Sequence, residues 1–175
     1  MHKNLLKKYY FIEKFEKSNI DIQTKNTRII YRNYKKKYNI KELIDIKHYC
    51  IKKSLKFLLS NNIKLAIRLK LDGAYIPSFN NKMDHLSYST NKKFIFLGSA
   101  HSLKEIRIKE LQKVQSIFLS SIFKKNKNFL GFYKFKILSK YTKKEIIALG
   151  GITKKNVKKL NLLKSLSFAG ISYFE

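Results

Sequence analysis

Cysteine, proline, tryptophan and acidic residues are scarce in this sequence of 175 residues. With Cys50 as its one cysteine, the chain can form no internal disulfide and no zinc site built from several cysteines. No apolar run approaches the roughly 18 residues of a transmembrane helix, and the N-terminus lacks the apolar stretch of a secretory signal. We therefore expect a cytoplasmic protein without a membrane partner.

Lysine, in contrast, is abundant. Lys and Arg number 39 against 11 Asp and Glu, a formal net charge of +28, yet only four of the 39 are arginine. A charge of this sign favours nucleic acid as a partner, whereas binders of phosphates and bases rely more on the bidentate arginine side chain. Ile, Asn, Tyr and Phe are abundant as well, which is the composition that an AT-rich gene encodes. Part of the positive charge can therefore reflect gene composition rather than binding. A nucleic-acid partner therefore stays open but is not favoured.

The remaining composition is that of a folded domain. A hydrophobic content of 44% and an aromatic content of 14% exclude a chain that is disordered throughout. A chain of this length buries roughly two thirds of its unfolded surface on folding. No segment rich in Pro, Gly or Ser divides the sequence, so we expect a single domain over residues 1–175.

Eight short apolar segments, several of them separated by helical patterns, predict β-strands. They are Tyr9–Phe11, Arg28–Arg32, Lys56–Leu59, Ala74–Pro77, Phe94–Leu97, Ser116–Leu119, Ile146–Leu149 and Phe168–Ser172. Strands that alternate with helices form parallel sheets. Eight of them favour a (β/α)8 barrel, although such barrels usually need about 250 residues. An open doubly wound sheet is the alternative.

Three stretches carry helix start signals. Asn39 and Ser102 each precede a glutamate by three residues, which is the spacing of a capping box. We expect the helix after Asn39 to place Ile44, Ile51, Leu55 and Leu58 on its core-facing side. Thr153 is the expected N-cap of a helix over Lys154–Leu163.

Two segments combine a strand end with residues that suit a binding site. Ile147–Thr153 predicts a strand that enters a Gly-Gly turn and then a helix, so Gly150 and Gly151 would let the backbone approach an anion. Phe94–Leu103 predicts a strand whose end carries His101 beside a helix cap. In a (β/α)8 barrel both would lie at the carboxyl ends of strands, where such barrels bind ligands.

With these segments in this order and spacing, the chain resembles the thiamine phosphate synthase/TenI family from roughly Arg28 to Phe174. The most specific pieces are Ser99-Ala-His-Ser102 and Ala148-Leu-Gly-Gly-Ile-Thr-Lys-Lys-Asn156. The resemblance implies a compact (β/α)8 TIM-type barrel, here with a shortened first connection and no final helix. It also implies that substrates bind at the C-terminal mouth of the barrel.

The activity that the resemblance implies is that of a thiamine phosphate synthase. Such an enzyme joins a hydroxymethylpyrimidine diphosphate to a thiazole phosphate and releases diphosphate in thiamine biosynthesis. The implied partners are therefore phosphorylated pyrimidine and thiazole small molecules. The TenI branch of the family includes thiazole tautomerases, which the resemblance offers as a second activity.

The resemblance also assigns roles to individual residues. Arg32, Asn61, Ser99 and Ser121 match substrate-binding positions, Gly150, Gly151 and Ser172 match phosphate-binding positions, and His101 matches the acid/base of the tautomerase branch. An imidazole suits proton transfer near neutral pH. Glu175 would lie near the bound phosphate and repel it.

The family's magnesium site is where this sequence departs most from the pattern. Asn61 or Asn62, depending on a one-residue shift, and Asn80 stand where the family has carboxylates. Mg²⁺ at phosphate sites is usually held through one or two carboxylates. The resemblance thus implies Mg²⁺ as a cofactor, while these amides argue against it, and we expect no metal ligand. Tyr34 also replaces a lysine of the family's diphosphate site.

These departures leave three hypotheses open. The first is a thiamine phosphate synthase, and the second is a metal-independent thiazole tautomerase that uses His101. The third is a catalytically degenerate barrel that binds a phosphorylated ligand or RNA. The net charge favours RNA, as do Tyr31, Tyr34 and Tyr38, which alternate with Lys35–Lys37.

Overall fold

In the computed structural model, which describes residues 7–34, 37–163 and 167–174, eight parallel strands close into a barrel. The strands are β1 Lys8–Ile12, β2 Thr27–Tyr31, β3 Lys56–Ser60, β4 Gly73–Ile76, β5 Ile95–Ala100, β6 Ser116–Leu119, β7 Glu145–Leu149 and β8 Ser167–Gly170. Each pairs with its neighbours in chain order, and β1 pairs with β8, with Lys8 opposite Phe168. The predicted (β/α)8 barrel is confirmed, and the alternative of an open sheet is wrong.

Five α-helices and two 3₁₀ helices connect the strands within the described residues. The α-helices are α1 Lys17–Asp21, α2 Ile40–Lys52, α3 Ile63–Arg68, α4 Leu103–Leu111 and α5 Gly131–Ser139, and the 3₁₀ helices are Asp84–Ser87 and Val157–Leu163. The first connection is short, as predicted, because α1 has only five residues. After β8 the chain turns over residues 171–174. None of these helices combines the length and the apolar character needed to cross a membrane.

Two helices begin at the caps that the sequence predicts. The side chain of Asn39 accepts a hydrogen bond from the backbone N–H of Glu42 at 3.3 Å. The hydroxyl of Ser102 accepts one from the N–H of Glu105, also at 3.3 Å. Each bond satisfies an N–H group that has no partner inside its own helix. These caps fix the starts of α2 and α4, which follow the ends of β2 and β5.

The predicted core face of α2 is wrong. Leu43, Ile46 and Cys50 are buried, whereas Ile44 is only partly buried and Ile51 is 61% exposed. Leu55 and Leu58 lie beyond the end of the helix. The sequence contains two overlapping apolar stripes at helical spacing, and periodicity alone does not say which one faces the barrel. In the structure the stripe through Leu43, Ile46 and Cys50 is the buried one, and the helix ends at Lys52 before a turn leads into β3.

The helix predicted over Lys154–Leu163 begins later than expected. A 3₁₀ helix starts only at Val157. The side-chain oxygen of Asn156 accepts a hydrogen bond from the N–H of Thr153 at 2.9 Å, and its amide donates to the carbonyl of Gly151 at 2.8 Å. Thr153 is therefore capped by Asn156 rather than acting as a cap itself. Its N–H group is already used and does not face an anion.

The alternation of side chains along each strand separates two hydrophobic layers. Inward-facing residues fill the barrel, where the rings of Phe11, Tyr75 and Phe118 lie with centroids 5.3 to 5.8 Å apart. Outward-facing neighbours such as Tyr10 and Ile12 belong to the layer beneath the helices. A barrel interior packed in this way is a core and not a channel, so a ligand has to bind at the mouth.

Candidate functional site

A cavity of about 250 Å³ lies at the barrel mouth, where the carboxyl ends of the strands meet. Five of the predicted site residues line it, namely Arg32, Ser121, Gly150, Gly151 and Ser172. Lys124 and Asn126, from the loop between β6 and α5, also line it, and the sequence analysis did not single them out. The volume lies just below the usual range for drug-sized ligands, so the cavity suits a smaller molecule.

Gly150 and Gly151 form the turn after β7, and their backbone requires glycine. Their φ angles are +103° and +76°, where residues with a Cβ are strained. A Cβ on Gly150 would lie 2.3 Å from Oγ of Ser121, and one on Gly151 would lie 2.6 Å from the backbone nitrogen of Lys124. The Gly150 carbonyl accepts hydrogen bonds from the N–H groups of Phe123 at 2.9 Å and Lys124 at 3.2 Å. The turn thus packs directly on the loop after β6.

Ser121 and Ser172 enter the cavity in different ways. Ser121 is buried, and its hydroxyl donates a hydrogen bond to the carbonyl of Lys124 at 2.8 Å. That bond holds the loop on which the glycine turn rests, so Ser121 shapes the cavity wall. Ser172 follows β8 and is exposed, which leaves its hydroxyl accessible from solvent.

Arg32 lies just beyond β2 and is oriented by the barrel core. Its guanidinium carbon is 4.5 Å from the ring centroid of Phe11, a cation–π distance. Its backbone N–H donates to the carbonyl of Ile12 at 2.8 Å. Since the same side chain lines the cavity, it provides a positive charge whose direction is set by the aromatic ring beneath it.

His101 follows β5, and its ring is anchored to the end of β6. Nδ1 is 2.8 Å from the carbonyl oxygen of Ser120 and 3.1 Å from the Ser120 hydroxyl. The backbone N–H of His101 donates to the Glu105 carboxylate at 2.5 Å. In a neutral ring whose Nδ1 donates to the carbonyl, Nε2 is the basic nitrogen. Because Ser120 lines the cavity, the imidazole is one residue removed from the cavity wall.

Ser99 lies below the mouth and contacts a tyrosine of the barrel core. Its side chain is hydrogen-bonded to the phenol of Tyr75, and both residues are buried. Burial, reinforced by the neighbouring Tyr34, raises the pKa of Tyr75 above its usual range. The phenol therefore stays neutral. The position of Tyr75 on the inward face of β4 predicts only packing, which is why the sequence analysis did not include it.

Asn61 lies apart from these residues, in a second cavity of about 260 Å³ beside the β3–α3 and β4–β5 loops. The Asn80 side-chain amide donates a hydrogen bond to the side-chain oxygen of Asn61 at 2.8 Å. The side-chain oxygen of Asn80 accepts one from the backbone N–H of Lys82 at 3.0 Å. Asn62 caps α3 instead, accepting a hydrogen bond at 3.0 Å. Asn61, and not Asn62, is thus the residue that faces Asn80.

The pair formed by Asn61 and Asn80 does not fit a magnesium ion. Both side chains are neutral, whereas protein-bound Mg²⁺ at phosphate sites is held through carboxylate oxygens. The two side-chain oxygens already accept hydrogen bonds, one from Asn80 itself and one from Lys82. We therefore assign no metal ion to this site and no chemical step to a metal.

A buried lysine that the sequence analysis did not single out supports the β4–β5 loop. Nζ of Lys109, on α4, donates hydrogen bonds of 2.8 Å to the carbonyls of Pro77 and Asn80 and to the side-chain oxygen of Gln112. Burial lowers the pKa of Lys109 to about 8, with Glu105 acting in the opposite direction. The loop that carries Asn80 therefore rests on a buried cationic side chain.

The tyrosines that alternate with lysines after β2 bond inward. Tyr31 is buried and donates to a carboxylate of α2 at 3.1 Å. The hydroxyl of Tyr34 is 2.8 Å from Oγ of Ser60, and Tyr38 donates to the Ser60 carbonyl. These bonds orient the hydroxyls toward the protein; the Tyr31 ring is buried and so gives no base-stacking surface, whereas Tyr34 is 48% exposed. Lys35, Lys36 and Glu175, which the sequence-based hypotheses also invoke, lie outside the described residues.

Comparison with known proteins points to one family. The profile of the thiamine monophosphate synthase family matches residues 15–173. A thiamine-phosphate synthase of Helicobacter pylori is 30% identical over 129 residues, which cover 69% of this chain and 58% of that protein. One of Prochlorococcus marinus is 30% identical over 145 residues, which cover 76% of this chain and 40% of that protein. The matched region thus spans about half the length of these relatives.

Solved structures share the fold. The thiamine phosphate pyrophosphorylase from Pyrococcus furiosus superposes with a TM-score of 0.76 at 17% identity, over 97% of this chain and 87% of that one. At this identity the likeness establishes the architecture and leaves the chemistry to the site residues.

Proposed function

Since this chain belongs to the thiamine monophosphate synthase family, we propose that it acts in thiamine synthesis on a phosphorylated thiazole. In the proposed reaction the thiazole phosphate is joined to a hydroxymethylpyrimidine diphosphate, and diphosphate is released. The observation that carries the proposal is the cavity in which the Gly150–Gly151 turn meets Arg32 and Ser172.

These groups suit a phosphate monoester. Phosphate is bound well by the backbone of glycine turns and by the guanidinium of arginine. The loops after the seventh and eighth strands are the usual phosphate site of a TIM barrel, and Gly150, Gly151 and Ser172 lie in those loops. Lys124 adds a further positive charge to the same cavity. We therefore assign the phosphate of the thiazole to this side of the mouth.

The joining reaction makes a specific electrostatic demand. The bond between a pyrimidine methylene carbon and a diphosphate oxygen breaks, and its electron pair leaves with the diphosphate. Positive groups held in place stabilise such developing negative charge. Arg32, held over Phe11, and Lys124 are the cationic side chains of the cavity that would do so.

The test is a coupled assay with the pure protein. The two phosphorylated precursors are supplied together, with and without added Mg²⁺, and thiamine phosphate and diphosphate are both measured. The proposal expects the two products in equal amounts. If neither forms under either condition while the thiazole phosphate binds, the joining reaction is excluded but the phosphate site stands.

A second candidate is isomerisation of a thiazole phosphate, which the geometry around His101 favours. Nδ1 is fixed by Ser120 at 2.8 Å, so Nε2 is the nitrogen that would take and return a proton. This reaction also needs no carboxylates at Asn61 and Asn80. His101→Ala should then abolish isomerisation and leave binding of the thiazole phosphate intact. Unchanged turnover in that variant would exclude the candidate.

A further inference from the structure

The β3–β4 side of the mouth brings together the two positions at which the family resemblance places magnesium carboxylates. Nδ2 of Asn80 and Oδ1 of Asn61 are 2.8 Å apart. The backbone therefore still presents two neighbouring side chains, as a shared metal site requires. Only the chemistry of the side chains differs, because each carboxylate oxygen that would bind a metal is replaced by an amide group.

The same region already contains positive charge. The ammonium of Lys109 is fully buried and donates to the backbone carbonyls of Pro77 and Asn80. Gln112 reinforces the arrangement, since its amide donates to the carbonyls of Asn80 and Lys82 at 2.9 Å. The loop is thus held from below by a cation that belongs to the chain.

A divalent cation next to these groups would meet repulsion. Lys64 and Lys82 line the cavity that contains Asn61 and Asn80, and Asp84 is the one carboxylate among the described residues that line it. With the buried Lys109 ammonium included, three cationic side chains border this region against that single carboxylate. Positive side chains beside the site raise the free energy of a bound Mg²⁺.

We infer that the β3–β4 side of the mouth is a metal-free version of the family's magnesium site, in which the Asn61–Asn80 amide pair replaces the carboxylates and the buried Lys109 fixes the loop in place of the ion. Lys109 acts as a positioning residue and touches no substrate. The inference concerns cation binding, so it stands or falls separately from the reaction proposed above.

The experiment titrates Mg²⁺ alone into substrate-free protein and follows heat of binding and thermal unfolding. The wild type is compared with Asn61→Asp/Asn80→Asp, whose side chains keep the shape of the originals. In about 10 mM Mg²⁺ we expect the melting temperature of the double variant to rise by about 3 °C and that of the wild type not to change. The double variant should bind Mg²⁺ at least about tenfold more tightly than the wild type.

A matched control separates a site from a general charge effect. Asn62→Asp/Asn81→Asp adds the same two charges at adjacent positions in the sequence, so it should gain no comparable affinity. A wild type that binds Mg²⁺ as tightly as Asn61→Asp/Asn80→Asp would overturn the inference. A double variant that gains no more than the control would also overturn it, because the positions would then not form a metal site.

The part assigned to Lys109 is tested in the two-aspartate background. Lys109→Met removes the buried charge, whereas Lys109→Arg keeps it. We expect Mg²⁺ to bind at least about tenfold more tightly in the Met variant than in the Arg variant, since the fixed cation opposes the ion. Equal affinities would refute this role.

Discussion

The two sides of the barrel mouth differ in how many residues match the motifs of the family. On the β6–β8 side, Gly150, Gly151 and Ser172, to which the resemblance assigns phosphate binding, line one cavity. On the β3–β4 side, Asn61 and Asn80 stand where carboxylates are expected and bond to each other. The architecture is continuous across both sides, since the strands beneath them form one closed barrel.

The two proposed sites depend on different features of the chain. A phosphate site built on a glycine turn depends on backbone conformation, which the packing of Gly150 against Ser121 maintains. A magnesium site depends on the charge of particular side chains. Two substitutions from carboxylate to amide remove it without disturbing the loops that carry them.

The largest expected effect is that of Gly150→Ala, which would break the β6–β8 side. The new Cβ would lie 2.3 Å from Oγ of Ser121, at a φ of +103°. Backbone strain and overpacking together should lower the free energy of unfolding by roughly 3 kcal/mol. Inorganic phosphate should no longer bind. Urea unfolding and phosphate titration measure the two effects.

The matched control is Gly131→Ala, at another glycine with positive φ. Here φ is +65°, and a new Cβ would meet its nearest atom, in Phe129, only at 3.4 Å. The expected loss is about 1 kcal/mol, from the left-handed backbone alone. Equal losses in the two variants would show that the contact with Ser121 adds nothing to the requirement for glycine.

The second prediction concerns charge on either side of the mouth. Arg32→Met should weaken binding of inorganic phosphate by about tenfold or more, the usual loss for one charge-assisted hydrogen bond. Lys64→Met removes one positive charge from the β3–β4 cavity and should change phosphate affinity less than about twofold. Similar losses in both variants would mean that phosphate responds to net charge rather than to the cavity beside Gly150. Isothermal titration at fixed ionic strength makes the comparison.

The smallest expected effect lies at the opposite end of the barrel and serves as a reference for both sides. Burial alone would raise the pKa of Glu145, but hydrogen bonds from Ser167 at 2.8 Å, Lys7 at 3.1 Å and Ser116 at 2.9 Å lower it below its usual value. The stabilisation is therefore present above the unfolded-state pKa of about 4.3. It disappears as the pH falls through the lower pKa of the folded state.

Glu145→Gln should consequently lose no more than about 1 kcal/mol at pH 7, because solvent screens this partly exposed group. The difference from the wild type should shrink as the pH falls below about 4. Phosphate affinity should not change, since Glu145 begins β7 at the end remote from the mouth. A difference between wild type and variant that grows on acidification would contradict this account.

Local patterns predict the elements of this fold better than they predict which face is buried. All eight predicted strands correspond to strands of the barrel; Ser116–Leu119 matches β6 at both ends, and the other ends differ by at most three residues. The caps at Asn39 and Ser102 also form, because they involve atoms only a few residues apart. Helical periodicity places Ile51 on the wrong face, since two apolar stripes on α2 satisfy the same period.

In the candidate site, too, some residues are predictable from the sequence and others are not. Sequence motifs identify four residues at strand ends as candidate binding or catalytic groups, namely Gly150, Gly151, Arg32 and His101. The first three line one cavity. No sequence pattern distinguishes Lys109, which resembles any other lysine of this lysine-rich chain. Its role depends on the carbonyls of Pro77 and Asn80, about thirty residues away in the chain.

The sequence by itself determined the alternation of strands and helices, the helix caps and the glycine turn, because each rests on interactions between residues close in the chain. Tertiary structure alone decided that the barrel closes through β1 and β8, that Asn61 bonds to Asn80, and that Lys109 lies beneath their loop. Those contacts join segments that only the completed fold brings together. Burial and hydrogen bonding in the folded protein determine the pKa and the hydrogen-bond partners of these side chains, and no local sequence pattern predicts them.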